Sequence, residues 1–194
     1  MHWLEVESKV RIDDVKRLRE RIKRIADFEK KEKRGDDYFT LQKKGYPKKA
    51  FRIRDDGKKL VVNFKKHLPK LYSRGVVVKK EFEFKLSDAK HLDNFLAFLK
   101  EFGFREWVKK RKTTESYIHK KYKRIVIEIN KVEHVGTYME IEFLAKRSEV
   151  KKAIKQIKEV QKELGIKESQ IDNVGYTRRL YEKGIKDKKY FLKK

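Results

Sequence analysis

The 194-residue chain has no cysteine. That one absence excludes disulfides, Cys-ligated zinc, iron–sulfur clusters and thiol catalysis, and it points to a cytoplasmic setting. Proline occurs only at Pro47 and Pro69, both in stretches that read as loops. Glycine is also sparse, and no Gly-rich phosphate loop of the Walker type is present, so any bound phosphate must be held by side chains. The histidines, His2, His67, His91, His119 and His134, show no metal-ligand spacing and receive no catalytic role. Long apolar runs are missing: the longest, Phe95 to Leu99, sits inside an amphipathic helix, far short of the ~20 residues of a membrane span. The amino terminus enters a strand pattern at once without a signal-peptide core, so no membrane partner is expected.

Charge is what the chain has in excess. Lys and Arg number 55 against 30 Asp and Glu, a formal net charge of +25, which predicts attraction for nucleic acid, nucleotides or polyphosphate without choosing among them. The length suits one domain, placed at 1–183, with 184–194 as a basic C-terminal tail.

The charges are ordered. In an extended strand side chains alternate faces, so Glu5, Glu7 and Lys9 point one way while Leu4, Val6 and Val10 point the other. The pattern returns with Lys79, Glu81 and Glu83 opposite Phe82 and Phe84. It returns again with Glu140 and Glu142 opposite Met139, Ile141 and Phe143. A single Glu-x-Glu is usually a solvated strand face. Recurrence beside cationic strands, with Arg52 and Arg54, with Lys65, and with Lys109 and Arg111 on one face of the strand from Trp107, indicates a shared charged interior. Glu128 alternates with Ile127 and Ile129 and could pair with a nearby cation.

Helical spacing predicts helices after Asp13 (Val15, Leu18, Ile22, Ile25, Ala26), from Ser87 to Gly103 (Leu92, Phe95, Leu96, Leu99, Phe102), from Ser148 to Gly165, and a short one through Tyr176 and Leu180. Glu29 to Asp36 reads as a charged connector before a strand at Asp37–Leu41. Asp55-Asp56-Gly57 is a hairpin signal. Together the segments give an α+β fold: an eight-stranded antiparallel β-barrel, a tunnel with a charged interior and helices packed outside.

Buried charges persist only if they answer one another or a ligand. Carboxylates gathered from several strands suit a hard divalent cation with oxygen ligands. Facing Arg and Lys suit a phosphate chain. Glu5-Val6-Glu7-Ser8-Lys9 then matches the Glu-x-Glu-x-Lys signature of the CYTH family, the class IV adenylyl cyclase and thiamine triphosphatase group of triphosphate tunnel metalloenzymes. The resemblance continues through Phe51-Arg52-Ile53-Arg54, Lys65, Lys79-Lys80-Glu81-Phe82-Glu83, Lys109-Lys110-Arg111, and Ile129-Asn130-Lys131-Val132 followed by Gly136 to Glu142. It implies that Glu5, Glu7, Glu140 and Glu142 bind Mg2+ or Mn2+, that Lys9, Glu81 and Glu83 are catalytic, with Glu81 and Glu83 serving a second metal or ordering water, and that Lys9 is substrate-binding as well. It further implies that Lys9, Arg52, Arg54, Lys65, Lys79, Lys109 and Arg111 hold a triphosphate. Two positions depart from the family pattern: Asn130 stands where an acidic residue is common, and Lys79 where Arg is common.

The expected activity is metal-dependent hydrolysis of an inorganic or small organic triphosphate, such as tripolyphosphate or ATP, with nucleic acid not required. The alternative within the family is an adenylyl cyclase forming cyclic AMP and pyrophosphate. A non-catalytic polyanion or RNA binder is the reading from another class, and the inward Glu rows oppose it because carboxylates repel phosphate unless a metal intervenes.

Overall fold

Eight antiparallel strands close on themselves in a computed structural model that describes residues 3–55 and 59–185. In chain order these are β1 (Leu4–Arg11), α1 (Val15–Ile25), β2 (Ala26–Thr40), β3 (Phe51–Asp55), β4 (Leu60–His67), β5 (Val77–Leu86) and α2 (Ala89–Glu101). They are followed by β6 (Arg105–His119), β7 (Ile125–Val132), β8 (Gly136–Ala145), α3 (Val150–Glu163) and α4 (Tyr176–Glu182). Around the barrel the order is β1-β5-β4-β3-β2-β6-β7-β8. Closure satisfies the strand edges that an open sheet would expose.

The period of two decides which way each charge points. On β1, Val6 and Val10 are fully buried against the helices, which turns Glu5, Glu7 and Lys9 inward. The larger outer core joins Leu18 and Ile22 of α1 and Ala153, Ile157 and Val160 of α3 to Ile125 and Ile127 of β7 and Met139 and Ile141 of β8. Each of the Leu, Ile, Val and Met side chains, fully buried, contributes about 1.5–3 kcal/mol. A smaller core under α2 holds Phe39, Ile53, Val62, Leu96 and Leu99. The helices thus clamp the barrel from outside and leave its interior to polar groups.

Several boundaries differ from the sequence reading. Glu29 to Asp36 is no connector: β2 runs unbroken from Ala26 to Thr40 and pairs with β6 from His119 to Arg105. Its first half is largely exposed, so no apolar alternation announces it, and the ladder with β6 holds it instead. The cap of α1 is Asp14 rather than Asp13, its carboxylate accepting from the Arg17 N–H at 2.9 Å. Asp88 caps α2, and Phe102 is exposed rather than part of the buried stripe, because α2 ends at Glu101 and Gly103 turns the chain at φ 73°. Strands β3 and β4 pair as a hairpin, Asp55 opposite Leu60, while Asp56 and Gly57 lie outside the described residues, as do tail residues 186–194. Among the described residues no helix is long and apolar enough to cross a membrane.

Candidate active site in the barrel tunnel

The inward side chains line a cavity of about 610 Å³. Its wall is divided. The contiguous strands β7, β8 and β1 supply Glu128, Glu140, Glu142, Glu5 and Glu7, while β4, β3, β2 and β6 supply Lys65, Arg52, Arg54, Arg34, Lys110 and Lys112. Trp3, Lys123, Arg124 and Leu144 also line it. So do Asn173, Gly175, Tyr176 and Thr177, from the segment that leads into α4 and its first turn.

On the acidic side, carboxylate oxygens of Glu5, Glu7 and Glu142 approach within 4.8 Å of one another, as do those of Glu128, Glu140 and Glu142. Glu142 belongs to both groups. Oxygen-only clusters of this kind fit a hard divalent cation, and the electrostatics agree: burial pushes Glu7 up to about 7, with Glu5 and Glu140 adding repulsion against Lys79. Enclosure likewise raises Glu142 well above the usual carboxylate range, helped by Glu5, Glu128 and Glu140. The carboxyls are crowded beyond what the local cations balance.

Two of the acids are neutralised from within. Burial would raise Glu5, but Lys65 and Lys79 outweigh it and hold its carboxyl well below the usual range. Lys79 Nζ lies 2.5 Å from Glu7 and 3.3 Å from Glu5, and Lys65 reaches both Glu5 and, at 2.8 Å, Glu81. Glu128 is brought down to about 2 despite burial by Lys112 at 3.3 Å and Arg34 at 3.1 Å. Asn130 acts as a donor rather than an oxygen ligand: its Nδ2 donates to Glu140 at 2.7 Å and Glu128 at 3.4 Å, while its Oδ1 accepts from Thr114 Oγ1 at 2.7 Å. Its neutral amide therefore fixes two carboxylates.

The basic side is organised by Asp36, which is wholly buried. Arg54 Nε donates to it at 2.7 Å, Lys110 Nζ lies at 2.7 Å and Arg52 at 3.5 Å. Against the upward push of burial, these three cations hold the Asp36 carboxyl well below its usual range. Arg52 Nε is buried without a hydrogen-bond partner among the described residues. An unmatched donor on a guanidinium inside a cavity is a ready contact for an anionic oxygen.

Lys9 sits against the Asn173–Tyr176 segment. Its backbone N–H donates to Asn173 Oδ1 at 2.8 Å, its Nζ donates to the Val174 carbonyl, and the ammonium lies 4.4 Å from the Tyr176 ring centroid. Burial lowers its pKa. Glu81 and Glu83 also line the cavity, both within reach of Asn63 Nδ2, at 3.5 and 3.3 Å, and neither belongs to the two oxygen clusters among the described residues.

The structure therefore brings Glu5, Glu7, Lys9, Arg52, Arg54, Lys65, Lys79, Glu81, Glu83, Glu140 and Glu142 into one tunnel. It does not bring in Lys109 or Arg111. Both lie on the outer face of β6, Lys109 3.1 Å from Asp37 and Arg111 3.7 Å from Glu133, and both line an outer cleft. Lys110 and Lys112 take the inward places. The run Lys109 to Lys112 is cationic at both parities and Tyr117-Ile118 is apolar at both, so the sequence cannot choose the face; packing does, since Tyr117, of the same parity as Lys109 and Arg111, is held in the helix-packed outer core. Arg34, Asp36 and Tyr38 were hidden for another reason: the first two fall in the stretch that reads as a connector, and none carries a motif. Tyr176 reaches the tunnel from α4, across the fold, and no local signal marks it.

The sequence pattern that defines the CYTH domain matches residues 4–176. A Methanocaldococcus jannaschii protein with a provisional adenylate cyclase name is 30% identical over 177 residues, covering 89% of this chain and 96% of its own. A solved Pyrococcus horikoshii protein superposes with a TM-score of 0.75 at 26% identity, covering 92% of this chain and 99% of that one. A Hippeastrum structure, described as an adenylyl cyclase candidate with a dominant triphosphatase activity, shares the fold at 16% identity and a TM-score of 0.63, over 97% and 99% of the two chains.

Proposed function

Because the chain belongs to the CYTH family, we propose that it is a metal-dependent triphosphatase acting on inorganic or small organic triphosphates inside the barrel. The observation that carries this reading is the divided wall, carboxylates on β7-β8-β1 facing cations on β3-β2-β6. A phosphate chain lying between the two sides meets fixed positive charge on one and, through a bound cation, oxygen ligands on the other.

Glu5, Glu7 and Glu142 would hold the Mg2+ or Mn2+ ion, with Glu128 and Glu140 offering oxygens to a second. Bound there, the ion supplies Lewis-acid neutralisation of phosphate oxygens. The rest falls to the chain. Arg52, Arg54, Lys110 and Lys112 grip the phosphate chain and stabilise the negative charge that grows on the leaving oxygen. A water oxygen then bonds to the terminal phosphorus as the bridging P–O bond breaks; the water gives up one proton, which ends on the departing phosphate oxygen, keeps the other on the orthophosphate formed, and the leaving group departs as the shorter phosphate. Asn130 and Thr114 keep the Glu140 and Glu128 carboxylates aimed inward. Hydrolysis asks only for a phosphate chain and water. Cyclisation needs, in addition, a nucleoside hydroxyl held in line with the innermost phosphate, and the cavity is lined chiefly by charged side chains. The cyclase reading keeps the support of the M. jannaschii relative's name.

Phosphorus NMR of the purified protein with Mg2+ or Mn2+ tests the reaction. Orthophosphate with pyrophosphate is expected from tripolyphosphate, and orthophosphate with ADP from ATP; cyclic AMP with pyrophosphate would establish the cyclase instead. The wall assignment has its own test. Lys112→Met should raise KM for tripolyphosphate or lower kcat by about tenfold to a hundredfold, the loss of one charge-assisted contact, while Arg111→Met on the outer face should leave both within about twofold. Equal effects from the two variants would show that the inward face of β6 is misassigned.

A further inference from the structure

A cleft of about 1120 Å³ lies on the outer face of the barrel, over β2, β6 and the turn between β7 and β8. Cations outnumber carboxylates in its lining by seven to three, and the carboxylates are unevenly shared. Asp37 is buried beside Lys109 at 3.1 Å and Glu133 stands 3.7 Å from Arg111, while Arg34 and Lys112 turn inward to Glu128 at 3.1 and 3.3 Å. Lys33 and Lys131 are exposed and have no ion-pair partner among the described residues. Lys183 Nζ donates to the His134 carbonyl at 2.9 Å, a neutral partner that leaves its charge uncompensated.

Strand pairing arranges these groups. Lys33 stands opposite Thr113 and Thr113 opposite Lys131, so two lysines flank a threonine in one row across three strands. In the neighbouring row Gly35 lies between Asp55 and Arg111. Glycine weakens a strand interior, and nothing in the fold asks for it here: its φ is not positive, and a Cβ would meet no atom nearer than the Asp55 carbonyl oxygen at 3.9 Å. It leaves a bare strip of sheet beside Lys33 and Arg111, a floor that a ligand's own backbone can approach.

The chemistry of the occupant follows from what lines the cleft. Lys33 and Lys131 are two strand spacings apart, about 10 Å, wider than one phosphate group and suited to charges repeated along a polymer. No Phe, Tyr or Trp is among the described lining residues, so unstacked bases find no platform. The apolar members are Val132, which is buried, and Val135, too little for the apolar centre of a protein interface. A nucleic-acid duplex needs neither, since it presents repeated phosphates and keeps its bases inside. We propose that this cleft docks the sugar–phosphate backbone of a nucleic-acid duplex, with Lys33, Lys131 and Lys183 on phosphates and the Thr113 hydroxyl as a further donor. Docking is independent of metal and of the reaction in the tunnel, and it prefers no base sequence.

The test is fluorescence anisotropy of the full chain with a labelled DNA duplex of about 20 base pairs, in EDTA, across a salt series. Affinity should fall with salt at a log–log slope of about −3, the counterions released by three phosphate contacts. Lys33→Gln combined with Lys131→Gln should bring the slope to about −1 and weaken binding about tenfold or more, with tripolyphosphate kinetics as in the parent. Lys155→Gln combined with Lys162→Gln on α3, exposed and outside the cleft lining, removes the same charge and should leave the slope as it was. Gly35→Val should keep or raise the Tm, because a β-branched residue suits a strand, and still weaken duplex binding about tenfold. Equal effects from the two double variants would reduce the binding to net charge and overturn the site. So would absence of duplex binding at about 50 mM salt, tighter binding of the single strand or of long-chain polyphosphate, displacement of the duplex by tripolyphosphate at the concentration that saturates turnover, or parental affinity in a folded Gly35→Val.

Discussion

Glu142→Gln is expected to lower metal-dependent triphosphate turnover roughly a thousandfold, about 4 kcal/mol of transition-state stabilisation, while leaving the metal-free protein as stable as before or more so. Glu142 is the residue common to both oxygen clusters, so its loss affects either cation position. The stability side follows from its environment. Enclosure and the neighbouring Glu5, Glu128 and Glu140 raise its pKa well above the ordinary value. A carboxyl whose pKa is higher folded than unfolded loses the fold stability as pH rises from the ordinary carboxylate range through the raised value. The neutral amide removes that penalty at neutral pH. Thermal melts with and without Mg2+ or Mn2+ check the claim: the cation should raise the parent's Tm and leave the variant's nearly unmoved. A variant that keeps the full cation-induced rise would show that Glu142 is no ligand.

Asp36→Asn is expected to destabilise the protein by about 3–5 kcal/mol, the usual cost of removing one partner from a buried ionic cluster. That is a large share of a typical domain's 5–15 kcal/mol. Arg52, Arg54 and Lys110 would keep their positive charges without the carboxylate between them. In the parent the Asp36 pKa is depressed by those cations, so its contribution is present above the unfolded carboxyl value and lost as pH falls through the folded one. The variant should therefore lose this part of the acid limb in a melt-versus-pH series. Tripolyphosphate should restore more stability to the variant than it adds to the parent, because phosphate oxygens supply the missing counter-charge. A melting curve shifted by less than about 1 kcal/mol, without enhanced rescue, would mean that the three cations are solvated rather than held by Asp36.

Both predictions turn on residues whose visibility in the sequence differs. Glu142 was legible because it sits in Tyr138-Met139-Glu140-Ile141-Glu142, where apolar and charged side chains alternate without ambiguity. Asp36 was not, since it lies in a run of charges at both parities and its strand has an exposed first half. The same blindness placed Lys109 and Arg111 inside and left Lys110 and Lys112 unassigned. Where Val6 and Val10, or Met139 and Ile141, mark the outer face, the opposite face follows. Where both faces are charged, only packing against a neighbour decides.

The chain alone determined the alternation of β1, β5, β7 and β8, the helical stripes and the cysteine-free, oxygen-and-nitrogen chemistry of the interior, because these depend on side-chain identity and on the local period of strand or helix. Tertiary structure decided the rest. The neighbour order that gathers acids on one wall and bases on the other depends on which strands touch, as do the inward parity of β6 and the pairing of three cations with Asp36. So does the approach of Tyr176 to the tunnel. These are contacts between residues far apart in sequence, set by barrel closure and by the helices packed outside, and no local pattern encodes them.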